Sequence, residues 1–287
     1  MKISFKSILK VLVRFVRSKS KYRISFDIYS QRTDFDKFDT EMLLSQIGYY
    51  GHHVEKALKH HLRGKRGTDK ANRLRGLLKV YRIRQNSDPK IIDWVINILY
   101  HFDNDHKLYV EKIKKDDELF PETLDFIRTR TTVRFWKNKK IPKKIIKDIL
   151  HSALTSSISC NRQSVKFVIE NKKGETELGD SNNPSMLKKA PVTIYVIADG
   201  RFYSEKYANA LDVGGVCATL LLSAKTYGIS GCWIYASETR NQNELRNKFG
   251  LKKHDYIYSH VTLGYPYDNQ EKPPRSFNEK LIFHEKE

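Results

Sequence analysis

The chain has 287 residues, enough for one large domain or two small ones with a hydrophobic core of their own. Lys and Arg number 53 against 33 Asp and Glu, a net charge of +20 that points to an anionic partner such as a phosphate, a nucleic acid or a lipid headgroup. A hydrophobic fraction of 39% with 11% aromatics excludes a disordered chain, and three cysteines (Cys160, Cys217, Cys232) without a Cys-x-x-Cys pair exclude a disulfide framework or a zinc knuckle and fit a reducing compartment.

In the first twenty residues Lys2, Lys6, Lys10 and Arg14 recur every fourth position, while Phe5, Ile8, Leu9, Leu12, Val13 and Val16 fill the opposite side. This is the pattern of a cationic amphipathic helix. Two placements fit it equally: in an anionic membrane surface with the apolar side down, or packed on the next domain. The apolar run 8–16 is interrupted by Lys10 and Arg14 and precedes no small-residue cleavage site, so neither a secretory signal nor a spanning helix is expected. The expectation is a cytoplasmic protein, with peripheral contact to the inner membrane surface as the alternative placement of this segment.

From residue 40 to about 115 the pattern is helical throughout, with predicted helices over 41–62, 69–85 and 88–102 and polar breaks over 63–67 and 86–88. Pro89 falls in the first turn, where its missing N–H does no harm. The first of these helices carries His52, His53, Glu55, Lys56, His60 and His61. His52 and Glu55 share a face, but adjacent lysines repel a cation and no third ligand is apparent, so the reading is a solvated basic face and no metal site.

Beyond residue 116 helices and strands alternate. Helices are predicted over 121–128 and 142–155, the latter with Ile145, Ile146, Ile149, Leu150 and Ala153 at helical spacing. A strand over 164–170 is followed by a turn at Asn171 to Gly174 and by a fully apolar strand over 192–198. A long helix over 204–227, apolar on nearly every side, stops at Gly228; a strand over 229–235, a helix over 241–249 closed by Gly250, and a strand over 256–264 complete the series. Such alternation specifies a layered α/β or α+β domain over 121–287, preceded by a helical extension over 1–120.

The segment Arg128-Thr129-Arg130-Thr131-Thr132-Val133-Arg134-Phe135 concentrates guanidinium groups and hydroxyls directly after a helix. Guanidinium forks pair with phosphate oxygens and hydroxyls take the remainder, so the cluster suits a phosphate monoester; alone it reads equally as a solvated basic surface. Downstream come Ser156-Ser157-Ile158-Ser159-Cys160-Asn161-Arg162-Gln163, then Gly228-Ile229-Ser230-Gly231-Cys232-Trp233-Ile234, then Gly264-Tyr265-Pro266 and Lys272-Pro273-Pro274-Arg275. In this order and spacing, over 121–277, the chain resembles the nitroreductase-like family of FMN-dependent oxidoreductases. That family has an Arg-Arg-Ser-x-Arg-x-aromatic stretch, a Pro-Ser-x-x-Asn-x-Gln-Pro-Trp turn, a glycine-bracketed strand, a Gly-Tyr-Pro and a late Lys or Arg.

The resemblance implies an α+β, three-layer fold with a central, mostly antiparallel sheet, in a homodimer with FMN at the subunit interface. It implies ping-pong hydride transfer from NAD(P)H through flavin N5 to an electron-poor small-molecule acceptor, with no side-chain acid or base required. Carried over by position, Arg130, Thr131, Thr132 and Arg134 would contact the FMN phosphate, ribityl chain and pyrimidine edge, and Arg275, with Lys272 nearby, would add a second phosphate cation. Ser157 stands at the family's proline, Asn161 and Gln163 lie in the turn beside the isoalloxazine, and Asn182 matches an amide that reaches the ring. Ser230 and Gly231 match the segment whose backbone N–H faces N5, where a side-chain-free residue permits close approach. The turn lacks its proline, and Ser164-Val165 replaces Pro-Trp after Gln163.

The stretch His52-His53-Val54-Glu55-Lys56-Ala57-Leu58 resembles that of extended members linked to surface polysaccharide assembly. Each motif also has a plain structural reading, as helix caps and strand entries around Ser156, Gly228 and Gly231. The competing reading of the whole is therefore a flavin-free copy of the fold associated with a membrane or polyanion. Nucleic-acid binding ranks last, for want of zinc spacing, an RNA-recognition aromatic motif or a helix-turn-helix.

Overall fold

The computed structural model describes residues 32–59, 65–84, 89–104, 121–171, 190–205, 207–236 and 242–267. The amphipathic start, Asn182, Lys272 and Arg275 lie outside the described residues. Three helices come first: α1 (Thr40–Lys59), α2 (Lys65–Arg84) and α3 (Pro89–Asp103). Asp39 starts α1 by accepting the Met42 N–H at 2.8 Å, which satisfies one of the unpaired amides of a helix N-terminus. Helix α2 begins four residues before the expected 69, because Gly67, read from sequence as part of a break, is buried within its first turn. Glycine also sets how close the helices come. A Cβ on Gly51 would stand 2.8 Å from the Trp94 ring and a Val95 methyl of α3, so these side chains pack directly on the α1 backbone there.

The layered part contains α4 (Pro121–Arg128), α5 (Lys143–Ala153), β1 (Val165–Glu170), β2 (Val192–Asp199), α6 (Ala208–Lys225), β3 (Ser230–Tyr235), α7 (Gln242–Phe249) and β4 (Asp255–Gly264). Among the described residues the sheet runs β1-β2-β4-β3, with every neighbouring pair antiparallel. Val165 faces Ala198, Val192 faces Leu263 and Ser230 faces Gly264, with an irregularity in β2–β4 at Val196/Ile197. Strand β2 is buried at every position, as its continuous apolar run requires. Its alternate residues serve two layers: Ile194, Val196 and Ala198 face the large core with α5 and α6, while Tyr195 and Ile197 pack with Leu245 of α7 and Ile257. The α+β class with a central antiparallel sheet is thus observed.

Helix α6 starts at Ala208, four residues later than expected. A short helical turn at Gly200–Phe202 and the extended, buried Tyr203 take up the preceding chain, and the Tyr203 hydroxyl donates to Asp212 at 2.8 Å. Gly228 and Gly250 adopt φ of 65° and 62°, the left-handed conformation that ends α6 and α7. One contiguous core cluster includes Met42, Leu43 and Ile47 of α1, Leu74 and Leu77 of α2 and Ile98 of α3 together with Ile149, Val216, Leu220 and Val261. The helical extension and the sheet therefore share one core. Ion pairs fasten the same junction: Arg201 bonds Asp199 and, at 2.9 Å, Asp39, while Lys166 reaches Asp255 at 2.7 Å and Lys252 reaches Glu41 at 3.0 Å. Among the described residues no helix is long and apolar enough to cross a membrane.

Candidate functional site

After α4 the chain runs along the start of β3. The Val133 N–H donates to the Gly231 carbonyl at 3.0 Å, the Trp136 indole donates to the Ser230 carbonyl at 3.0 Å, and the Lys137 N–H donates to the Tyr265 carbonyl at 2.8 Å. Trp136 also bridges to Pro266. Its ring occupies the space a side chain on Gly264 would need, since a Cβ there would stand 2.6 Å from the indole. The Gly264-Tyr265-Pro266 stretch is thus the seat of Trp136. These bonds fix residues 133–137 against the sheet edge, with Arg130 and Thr132 just before them.

Arg130 and Thr132 line a cleft of about 360 Å³ with Ile127, Ala218, Leu221, Leu222 and Trp233. Thr131 is half-buried beside them, and Arg134 is exposed. Burial pushes the Cys232 thiol up, with the guanidinium groups of Arg134 and Arg130 pulling against it. Both arginines therefore stand near this buried thiol, which stays protonated at neutral pH and is no nucleophile. Lys225 ties the end of α6 to this segment through the Phe126 carbonyl and the Thr129 hydroxyl.

Ser230 and Gly231 open β3 at the same edge. Gly231 does need to lack a side chain, but the structural reason lies in the sheet: a Cβ there would stand 1.7 Å from the Thr262 carbonyl oxygen of β4. Trp233, an outward residue of β3, is 45% exposed and donates its indole N–H to Ser259 Oγ at 2.8 Å.

Ser157, Asn161 and Gln163 form a second cluster that does not line the cleft of Arg130. Consecutive glycines of α6 face the two in turn. The space at Gly214 is filled by the Trp233 ring, 3.5 Å from where a Cβ would stand, and that at Gly215 by Ser156 Oγ at 2.8 Å. The turn after α5 places Cys160, Asn161 and Gln163 at φ of 51°, 50° and 51°. Asp212 of α6 holds its start, accepting the Ser159 N–H at 3.0 Å and the Ser159 hydroxyl at 2.7 Å. Arg162 is buried between the rings of Tyr49 and Tyr203, 5.4 and 5.1 Å away, and donates to both Glu205 oxygens at 3.1 Å. Asp212, Arg162 and Tyr49 were missed by the sequence reading. No local pattern marks them, because each acts on a residue far along the chain. Trp233 is outward-facing only in the structure, because the run Cys232-Trp233-Ile234-Tyr235 is apolar throughout and carries no alternation in sequence.

The fold and cleft define a layered α+β protein with a cationic, hydroxyl-bearing groove at one sheet edge. Residues 122–286 match the family described as "Putative TM nitroreductase", so the chain belongs to this nitroreductase family, as the motif resemblance implied. Two proteins with the name "Putative NADH dehydrogenase/NAD(P)H nitroreductase" are similar to it. That of Archaeoglobus fulgidus is 28% identical over 172 residues, 58% of this chain and 98% of its own. That of Methanothermobacter thermautotrophicus is 26% identical over 152 residues, 52% and 79% respectively. The crystal structure of a nitroreductase family protein from Streptococcus pneumoniae shares the fold, with a TM-score of 0.51 at 19% identity over 57% of this chain and all of that one.

Proposed function

We propose that the chain is an FMN-dependent oxidoreductase that passes hydride from NAD(P)H to an electron-poor acceptor in two alternating half-reactions. The observation that carries this reading is the placement of Arg130 and Thr132 in a cleft walled by Leu221, Leu222 and Trp233, with Arg134 beside Arg130 near Cys232 and the Ser230–Gly231 start of β3 tied to Val133. The donor set fits the group: guanidinium forks and hydroxyls suit a phosphate, and an apolar wall suits a flat ring system. Bound FMN supplies two-electron hydride chemistry at N5. Arg130 and Arg134 hold the phosphate and offset negative charge, with Thr131 and Thr132 as hydroxyl donors and Arg275 as a further cation. The Ser230–Gly231 backbone, whose carbonyls are held by the Val133 N–H and the Trp136 indole, would supply the rigid strand start beside the ring. The names of the archaeal relatives support a nicotinamide donor.

Asn161 and Gln163 orient the ring in this reading, with Ser157 in the same turn and Asn182 as an additional amide. Since their turn does not line the Arg130 cleft, a second copy of the chain would supply it, in a homodimer. Supporting this, Leu211 and Tyr207 at the start of α6 are 73% and 63% exposed, and the exposed Trp233 and Tyr235 of β3 share a hollow with Ala210 and Val213 of α6. We assign residues 121–287 as the flavin unit and 1–120 as its extension.

The test is the visible spectrum of the purified chain. Flavin bands at about one FMN per chain, bleached anaerobically by NADH or NADPH, are expected. A colourless protein that takes up no added FMN contradicts the proposal, and one that also pellets with anionic vesicles favours the flavin-free alternative.

A further inference from the structure

The turn after α5 keeps three residues with side chains in left-handed backbone, Cys160, Asn161 and Gln163. Such residues lose about 1 kcal/mol or more each and persist only where their surroundings over-determine them. Asp212 restrains the start of the turn. A second restraint comes from helix α1, outside the layered part. Gly48 lies so close that a Cβ on it would stand 2.1 Å from the Asn161 carbonyl oxygen. The next residue, Tyr49, covers one side of the buried Arg162 guanidinium, Tyr203 contacts it at 5.1 Å, and Glu205 answers its charge. Helix α1 cannot back away, because Asp39 and Glu41 are paired with Arg201 and Lys252 and its apolar side belongs to the shared core.

We propose that α1 is a positioning element of the flavin site: Gly48 and Tyr49 press the turn into the conformation that presents Asn161 and Gln163 to the ring. The inference rests on the flavoprotein reading above and extends it by giving the helical extension a role. Gly48 and Tyr49 are positioning residues that act only through the turn.

The experiment uses the full chain and the variants Gly48→Ala, Tyr49→Ala, Tyr49→Phe and Gly51→Ala. The first readout is the labelling rate of Cys160, half-buried on the turn, with a thiol reagent and mass analysis to separate it from the buried Cys217 and Cys232. The second is the visible spectrum of bound FMN together with its rate of anaerobic reduction by NADH. Gly48→Ala and Tyr49→Ala are expected to speed Cys160 labelling about tenfold by opening the turn. They also shift the flavin bands and slow reduction about ten- to a hundredfold, the penalty of an ångström-scale misplacement. Tyr49→Phe, which keeps the ring over Arg162, retains wild-type behaviour in both. Gly51→Ala presses on Trp94 and Val95 at 2.8 Å without touching the turn, so it lowers thermal stability and leaves both readouts unchanged.

A wild-type chain that takes up no FMN overturns the flavoprotein reading and this inference with it. A wild-type chain that binds FMN, with the Gly48 and Tyr49 variants unchanged in labelling or in flavin spectrum, overturns the positioning inference alone. Should Gly48→Ala not fold, the contrast between Tyr49→Ala and Tyr49→Phe decides in the same way.

Discussion

Replacing Asp212 with Ala removes a carboxylate that is 4% exposed and accepts three hydrogen bonds, from Ser159 N at 3.0 Å, Ser159 Oγ at 2.7 Å and Tyr203 Oη at 2.8 Å. A hydrogen bond to a charged acceptor contributes about 1.5–3 kcal/mol, and a buried donor left unpaired loses about 1–3 kcal/mol. The three donors do not suffer alike. The Ser159 hydroxyl is only half-buried and can turn to water, and the Tyr203 hydroxyl keeps Ser164 Oγ as a neighbour. The full loss falls on the Ser159 amide with a partial loss at Tyr203, so Asp212→Ala is expected to destabilise the fold by about 3 kcal/mol. Asp212→Asn keeps the volume and one acceptor oxygen, and about half that loss is expected. The assay is urea unfolding at fixed protein concentration without added FMN, because a dimer or bound ligand shifts apparent stability by mass action. A midpoint change equivalent to less than about 0.5 kcal/mol for Asp212→Ala, at unchanged slope, would refute the assignment of this carboxylate as the anchor of the turn.

Gly264→Ala forces a methyl to within 2.6 Å of the Trp136 indole, and a loss of about 1–3 kcal/mol with a changed tryptophan emission is expected; unaltered stability and emission would mean that Trp136 is seated elsewhere. Burial lowers the His53 imidazole to about 4, with Lys70 and other neighbouring cations adding to the effect. The unfolded chain takes up this proton near the ordinary 6.5 whereas the folded chain resists it, so the stability tied to neutral His53 is complete above about pH 6.5 and declines as pH falls towards about 4. His53→Gln should flatten the stability–pH profile in that window by about 1–2 kcal/mol relative to wild type; superimposable profiles would contradict it. Leu211→Lys places a charge on the exposed α6 surface, and sedimentation should show a monomer with weakened FMN retention; an unchanged assembly would remove that surface from the interface.

The order of helices and strands was legible because each follows from local pattern: the apolar run 192–198, the helical spacing of Ile145, Ile146, Ile149 and Leu150, and Gly228 and Gly250 as stops. Errors arose where a distant contact overrides local preference. The sequence before α6 favours helix from 204, yet Tyr203 is drawn inward to Asp212 and Glu205 is engaged by Arg162, so the helix waits until Ala208. The motifs single out Arg130, Thr132, Arg134 and Ser230, but what the fold does with the residues around them is partly hidden from the sequence. Gly231 makes room for a carbonyl of the neighbouring strand, and Gly264 makes room for Trp136. Neither contact has a signature within a short window. Gly48 is the clearest instance: in sequence it is an ordinary glycine in a helix, and only the arrival of Asn161, more than a hundred residues later, shows why a side chain there is excluded.

The helical extension is bound into the molecule more firmly than a tethered appendage would be. It contributes to the same core cluster as the sheet, carries Asp39 and Glu41 into the ion pairs of Arg201 and Lys252, and meets the turn at Gly48. Buried apolar contact is the larger part of that attachment, since ion pairs with half-exposed partners contribute about 0–1 kcal/mol each.

The central claim is that Arg130 and its neighbours grip the phosphate of a flavin, and comparing FMN with riboflavin tests it most directly. With wild-type chain titrated by visible absorption, the account predicts that FMN binds about ten- to a hundredfold more tightly than riboflavin, the worth of one or two charge-assisted bonds, and that Arg130→Ala loses most of this preference while leaving riboflavin binding unchanged. Equal affinity of the wild-type chain for the two flavins, or a preference that survives Arg130→Ala intact, would contradict it.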